Sequence, residues 1–218
     1  MIIEKLKSPI YKFLYILHNF FFKIKFYFQS KPYYYFINEY NSTYLNERAI
    51  EIPIAIEYYN AFFKSNETLE IGNVLKRYFP ELKHDALDLY ESFEGVINED
   101  IEFYLPAIKY KFILSISTLE HVGFDGDETL DLEKLRRSLN NITENLLTEG
   151  GLLIATFPLK YNPSIDELFA SNFFQEKYVM QRGLFNLWKQ VSIDQGLSGK
   201  SKKDTAFVRQ IGIGIFTK

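Results

Sequence analysis

The sequence predicts an α/β fold built on an open, mostly parallel sheet flanked by helices, with a basic, aromatic extension at its N-terminus. Three observations carry that reading. Residues 68–71 read as a short strand, 112–116 form a continuous apolar run, as expected of a strand buried on both faces, and 152–157 read as another buried strand. Between the last two, Leu132, Leu135, Leu139, Ile142 and Leu146 recur every three or four residues, the spacing of a helix with one apolar face. The first strand closes on Glu70-Ile71-Gly72-Asn73, an acid and a glycine where a strand gives way to a helix, which is how an open sheet shapes a nucleotide-sized crevice.

In chain order, residues 1–40 form a basic arm in which Lys5, Lys7, Lys12, Lys23, Lys25 and Lys31 face few acids, broken at Ser30-Lys31-Pro32. Asn41-Ser42-Thr43 marks the boundary of the second unit, 41–218, and a helix is predicted over 45–63, with Pro53 starting or kinking its second half. The strand at 68–71 leads into a helix beginning at 74–79, a second strand at 86–89, and a short third strand or loop at 96–98. After the strand at 112–116, a helix is predicted over 130–147, stopped by Gly150-Gly151 before the strand at 152–157. The tail from Tyr178 to Phe216 supplies the last strands around a flexible loop at 196–203. Alternating strands and helices imply right-handed crossovers.

Composition narrows the function. The 218 residues suffice for one well-cored domain, and a net charge of −3 gives no nucleic-acid footprint. The chain has no cysteine, hence no thiolate nucleophile, disulfide or cysteine-ligated zinc, and three scattered histidines argue against a metal centre. The segment 10–28 is interrupted by Lys12, His18, Lys23 and Lys25, short of the roughly 20 apolar residues of a spanning helix, and it lacks a signal-peptide core. A cytoplasmic protein is expected. The arm suits peripheral membrane contact, a homodimer seam, or packing on its own domain.

Glu70 and Gly72, the segment Ser115-Ile116-Ser117-Thr118-Leu119-Glu120-His121-Val122 and the strand after Gly150-Gly151 together resemble the class I, Rossmann-like S-adenosylmethionine-dependent methyltransferases, from about residue 48 to 162. The resemblance implies S-adenosyl-L-methionine as cofactor and methyl transfer to a small-molecule, glycan or lipid-linked acceptor. It implies that Glu70, Gly72 and Asn73 form the cofactor turn, where Asn73, Val74 and Leu75 occupy places at which further glycines are common. Asn73 suits such a turn because asparagine tolerates the left-handed region. Asp88, about eighteen residues on, stands where nucleotide-binding sheets place a carboxylate for ribose hydroxyls, with Glu91 in reserve; a solvated loop acid is the alternative.

The resemblance assigns Asp100 to the adenine amino group and Ile101 to the apolar wall, unless Asp100 only caps a turn. Ser115, Ser117 and Thr118 would line the methionine portion. Lys111 stands where the family often has an aspartate. His121 is the candidate base, since an unperturbed pKa near ~6.5 suits proton transfer, with Glu120 orienting it or the acceptor; His121 packing beneath the loop is the other reading. Tyr161 and Asn162, on a proline-bounded loop, are candidate acceptor contacts or a plain turn, and Arg48 reaches the cofactor carboxylate or pairs with Glu47 or Glu51. A nicotinamide-dependent oxidoreductase is the weaker enzymatic alternative, lacking three glycines and a Tyr-x-x-x-Lys dyad. A non-catalytic methyltransferase-like binding domain is the other.

Overall fold

The structure, a computed structural model, describes residue 13 and residues 24–124, 131–198 and 208–218. The lysines of the arm before residue 24, and most of the loop predicted at 196–203, lie outside the described residues. The chain opens with a hairpin of β1 (Lys25–Phe28) and β2 (Lys31–Tyr34), in which Phe26 and Phe28 point inward and Lys25 and Tyr27 outward. Its two-residue turn, Gln29-Ser30, takes positive φ at both positions, the twist that matches right-handed strands. The break expected at Ser30-Lys31-Pro32 is this turn, and Pro32 is tolerated because a two-stranded ribbon has free edges.

Helix α1 (Arg48–Phe62) runs through Pro53 as one element; the predicted restart there is not seen, because Ile50, Ile52, Ile54 and Ala55 are all buried and packing holds the helix across the missing bond. Strand β3 (Thr68–Ile71) is followed by a single helical turn, α2 (Leu75–Tyr78), then β4 (Asp85–Leu87), β5 (Val96–Ile97) and β6 (Tyr110–Ile116). Helix α3 (Leu132–Asn141) starts on Asp131, whose carboxylate accepts the backbone N–H groups of Glu133 and Lys134. It widens into a π-turn over Ile142–Leu146 and passes directly into β7 (Leu147–Pro158). Gly150 and Gly151 therefore do not stop the helix: they lie inside β7, beside an irregularity in its pairing with β6 between Tyr110 and Phe112. Then come α4 (Pro163–Ala170), β8 (Glu176–Arg182), β9 (Trp188–Val191), α5 (Ile193–Leu197) and β10 (Gln210–Thr217). Gly196, expected in a flexible loop, is buried in α5, where an added Cβ would come 2.3 Å from Val179.

The eight-stranded sheet has the order β5-β4-β3-β6-β7-β10-β8-β9. The first five strands are parallel, and β10 enters antiparallel between β7 and β8. Side chains alternate between two cores, as the pleat dictates. Phe112, Leu114 and Ile116 of β6, with Ile211, Ile213 and Ile215 of β10, face α1 and the β1–β2 hairpin. Ile113 of β6 and Leu153 and Phe157 of β7 face α3, α4 and α5. On that second face Gly214 leaves room for the Phe174 ring, which a Cβ would meet at 2.6 Å. The first core extends without a gap into the hairpin: the backbone N–H of Gln29 donates to Gln190 of β9, and that of Trp188 donates to the Tyr35 hydroxyl. No helix among the described residues is long and apolar enough to cross a membrane.

Candidate cofactor cleft

The chain leaves β3 toward β4 and β5 on one side, and later returns to place β6 on the other. The C-terminal ends of β3 and β6 are therefore where connections diverge, and open sheets form their crevice at such a point. A cavity of about 330 Å³ lies there, within the roughly 300–1,000 Å³ of small-ligand sites. Its floor comes from strand ends: Ile71 at the end of β3, Leu87 at the end of β4 with Asp88 after it, Asp100 and Ile101 beyond β5, and Ser117 and Thr118 after β6. Its outer wall comes from Tyr40, Arg48, Arg77, His121 and Lys134.

The turn after β3 requires glycine once. Gly72 has φ +88° and donates its N–H to the Leu87 carbonyl, and an added Cβ would sit 2.3 Å from Thr118 Oγ1. Asn73 does not use the left-handed region it was expected to need, and Val74 has ordinary helical angles, so the missing further glycines cost this turn no strain. Asn73 borders the cavity while 94% buried, and neither polar atom of its amide has a partner among the described residues. Such a buried amide leaves four hydrogen-bonding positions open at the cleft. Glu70 faces the other way: its fully buried carboxylate accepts the backbone N–H groups of Leu75 and Lys76 and meets His84 Nε2 at 2.9 Å. It shapes the turn from behind.

Asp88 accepts the N–H groups of Tyr90 and Glu91 on Oδ1, both at 2.9 Å, while Oδ2 bonds to no described residue. Asp100 both caps a turn, accepting the Glu102 N–H, and forms an ion pair with Lys134 inside the cleft wall. Lys134 gave no sequence signal beyond its place on the first turn of α3. Ser115 is interior to the strand, its hydroxyl buried without a partner, and does not border the cavity. Ser117, at φ +40°, donates its hydroxyl to Glu51 at 2.6 Å rather than to the cleft.

Behind this wall is a buried polar cluster. Glu51, fully buried in α1, accepts Ser117 and Thr156 on Oε1 and Arg48 on Oε2. Burial disfavours the Arg48 charge, but Glu51, with Glu47 and Glu120, outweighs it and raises its pKa. The Arg48–Glu51 pairing is the one its three-residue helical spacing allows. Glu120 lies wholly inside, its Oε2 without a partner among the described residues. Burial lifts its pKa well above the usual carboxylate range; its own backbone N–H opposes this, and Glu51 adds to it more than Arg48 relieves. Its Oε1 is 3.8 Å from His121 Nε2, beyond hydrogen-bond length, and it does not border the cavity.

His121 does border it, with its side chain 42% exposed, and its ring meets Tyr161 edge-on at 5.3 Å; Phe124 flanks Tyr161 from the other side. Asn162 is turned inward and serves the fold: Oδ1 caps α4 through the Ser164 N–H, and Nδ2 donates to the Glu120 carbonyl. At the rim, Arg77 lies between the rings of Tyr40 and Phe93, 5.6 and 4.7 Å from their centroids, a clasp that one sequence does not announce.

No family model matches the sequence, and no curated protein matches it. Solved structures do. The N-methyltransferase NodS from Bradyrhizobium japonicum WM9, in complex with S-adenosyl-L-homocysteine, superposes with a TM-score of 0.50 at 15% identity, covering 79% of this chain and 87% of that one. The fold is that of the class I methyltransferases. A second NodS structure gives 0.49 at 14% identity over 79% and 96% of the two chains. An S-adenosylmethionine-dependent methyltransferase from Clostridium acetobutylicum ATCC 824 gives 0.41 at 15% over 74% and 88%. In that fold the cleft described above occupies the switch point of the sheet, and Gly72 lies in the turn beside it.

Proposed function

We propose that this cleft binds S-adenosyl-L-methionine and that the protein transfers its methyl group to a small-molecule, glycan or lipid-linked acceptor. The observation that carries the reading is the unpartnered, buried amide of Asn73 beside the Gly72 turn, at the switch point of a methyltransferase fold. Gly72 and Asn73 would hold the amino-acid portion with Thr118 and Ser117; the free Oδ2 of Asp88 suits the ribose hydroxyls, and Ile101 and Asp100 suit the base. Arg48, although paired with Glu51, faces the cavity and can offer its remaining N–H groups to a carboxylate. When bound, the cofactor's sulfonium supplies the methyl electrophile.

Transfer is then an in-line displacement, and the chain's part is to hold the acceptor and take its proton. His121, exposed at the rim and braced by Tyr161, is the residue placed to do so. Tyr161 would contact the acceptor, and the buried Glu120 would act through His121. We place the reaction in the cytoplasm, with the basic arm available for a membrane surface or a second copy of the chain. The deciding experiment is calorimetric titration of the purified protein with S-adenosylmethionine and S-adenosylhomocysteine: saturable binding of both is expected, and binding of neither overturns the reading.

A further inference from the structure

His84 is the one fully buried histidine among the described residues, and nothing in the reading above uses it. Its side chain has no solvent exposure, and it sits between two partners. Nε2 lies 2.9 Å from Glu70 Oε2, and Nδ1 lies 3.2 Å from the Tyr59 hydroxyl on α1, whose ring it meets edge-on. A carboxylate accepts, so Nε2 is the nitrogen that donates to Glu70, while the Tyr59 hydroxyl holds the ring at Nδ1.

Glu70 in turn accepts the N–H groups of Leu75 and Lys76. These are helix-start donors with no carbonyl behind them, and neither has another partner among the described residues. The residues between carboxylate and donors, Gly72, Asn73 and Val74, are the turn at the cleft. A carboxylate buried completely needs every donor it can find, and His84 supplies the third. Lys76 closes the arrangement from outside, its ammonium donating to the carbonyls of His84 and Gly95.

We propose that His84 is a positioning residue of the cofactor cleft, holding the Glu70 carboxylate so that it pins the Leu75 and Lys76 amides and thereby fixes the Gly72–Asn73 turn. The proposal deepens the cofactor reading and rests on it for its effect on affinity, but the amides can be read without any cofactor. Glutamine at position 84 can place an N–H near the Nε2 position and keep the bond to Glu70. Asparagine reaches only the Nδ1 position, so it can keep Tyr59 and loses Glu70.

The experiment compares wild type, His84→Gln, His84→Asn and Tyr59→Phe by hydrogen exchange at the Leu75 and Lys76 amides and by calorimetry with S-adenosylhomocysteine. Wild type and His84→Gln should protect both amides and bind within about threefold of each other. His84→Asn should lose that protection and bind roughly tenfold more weakly, the scale of one charge-assisted hydrogen bond, even where its melting temperature equals that of His84→Gln. Equal protection and affinity in the two variants, or losses that follow melting temperature rather than the nitrogen replaced, overturn the proposal. If His84→Asn does not fold, Tyr59→Phe decides: it removes the hydroxyl that holds the imidazole in place from its Nδ1 side, so both amides should exchange faster than in wild type, and unchanged protection overturns the proposal. Failure of wild type to bind S-adenosylhomocysteine would remove the cofactor reading alone, since the exchange measurement stands without it.

Discussion

Arg48 Nη1 lies 2.6 Å from Glu51 Oε2 inside the fold, and the other oxygen of the same carboxylate accepts Ser117 at 2.6 Å and Thr156 at 2.7 Å. One carboxylate on α1 thereby ties the helix to the ends of β6 and β7 directly behind the cleft. The arrangement makes the N-terminus of α1 part of the site rather than a cover over it. It also concentrates charge where a removed partner is expensive.

Arg48→Met removes the cation that compensates Glu51 and leaves its carboxylate buried and unpaired by charge. Breaking such a pair from one side costs about 3–5 kcal/mol. The double variant Arg48→Met, Glu51→Gln should recover about half of that, because the amide still accepts the two hydroxyls without carrying a charge. Urea unfolding of wild type, the double variant and each single variant, Arg48→Met and Glu51→Gln, measures these quantities; additive losses would show that the two residues are not coupled.

Glu120 provides the pH signature. Its folded pKa stands well above its unfolded value of 4.5, because burial opposes the charge. Between those two values the native state holds a proton that the unfolded chain has released, so this group's contribution to stability is complete below pH 4.5 and falls as pH rises toward the folded pKa, by at most about 1.4 kcal/mol per pH unit. Glu120→Gln should abolish that slope, ending more stable than wild type at pH 8 and losing the advantage near pH 4.5. Parallel stability curves for the two proteins over that range would remove Glu120 as the source.

Cofactor affinity tests the turn and the ribose acid separately. Gly72→Val places a branched side chain at positive φ against Thr118 and should abolish binding. Asp88→Ala should weaken S-adenosylhomocysteine roughly ten- to a hundredfold, the worth of about 1.5–3 kcal/mol for a charge-assisted bond. Calorimetry that finds full affinity in a folded Asp88→Ala protein moves the role to Glu91, which also borders the cavity.

Much of this was legible in advance because strand and helix periods are local. Thr68–Ile71 and the apolar face at Leu135, Leu139, Ile142 and Leu146 follow from spacing alone, and a mostly parallel sheet follows from alternation. What escaped was set by distant contacts. Gly150-Gly151 reads as a stop because glycine ends helices, yet here a π-turn ends the helix earlier and the glycines enter β7. Asn162 reads as a ligand contact because it is polar beside prolines, yet it caps α4. His84 and Arg77 act through partners 14 to 37 residues away, a relationship carried only by the folded chain.

His121→Ala should lower turnover on an identified acceptor at least tenfold while leaving S-adenosylhomocysteine affinity within about twofold, since a base touches the acceptor rather than the cofactor. Equal turnover in the two proteins takes His121 out of the chemistry. A protein that loses stability instead would assign it to bracing Tyr161.

The hairpin sets the last expectation. Phe26 and Phe28 are 1% and 0% exposed, and Tyr33 and Tyr35 are buried beside them, all in the core that α1 shares with the sheet. A protein beginning at Asn41 therefore loses part of that core and uncovers the apolar faces of α1 and β9. Full burial of one phenylalanine is worth about 1.5–3 kcal/mol, so losing two costs at least about 3 kcal/mol, which at this size lowers the melting temperature by roughly 6–12 °C or brings aggregation. The outward face of the hairpin carries Lys25, Tyr27 and Tyr34, all exposed, so it can meet an anionic surface without unpacking the inward one. Sedimentation of the full chain with anionic vesicles, lost in 0.5 M salt, would add a membrane role to the structural one. An unchanged melting temperature on truncation would overturn the structural role itself, because it would mean that two buried phenylalanines contribute nothing to the fold they complete.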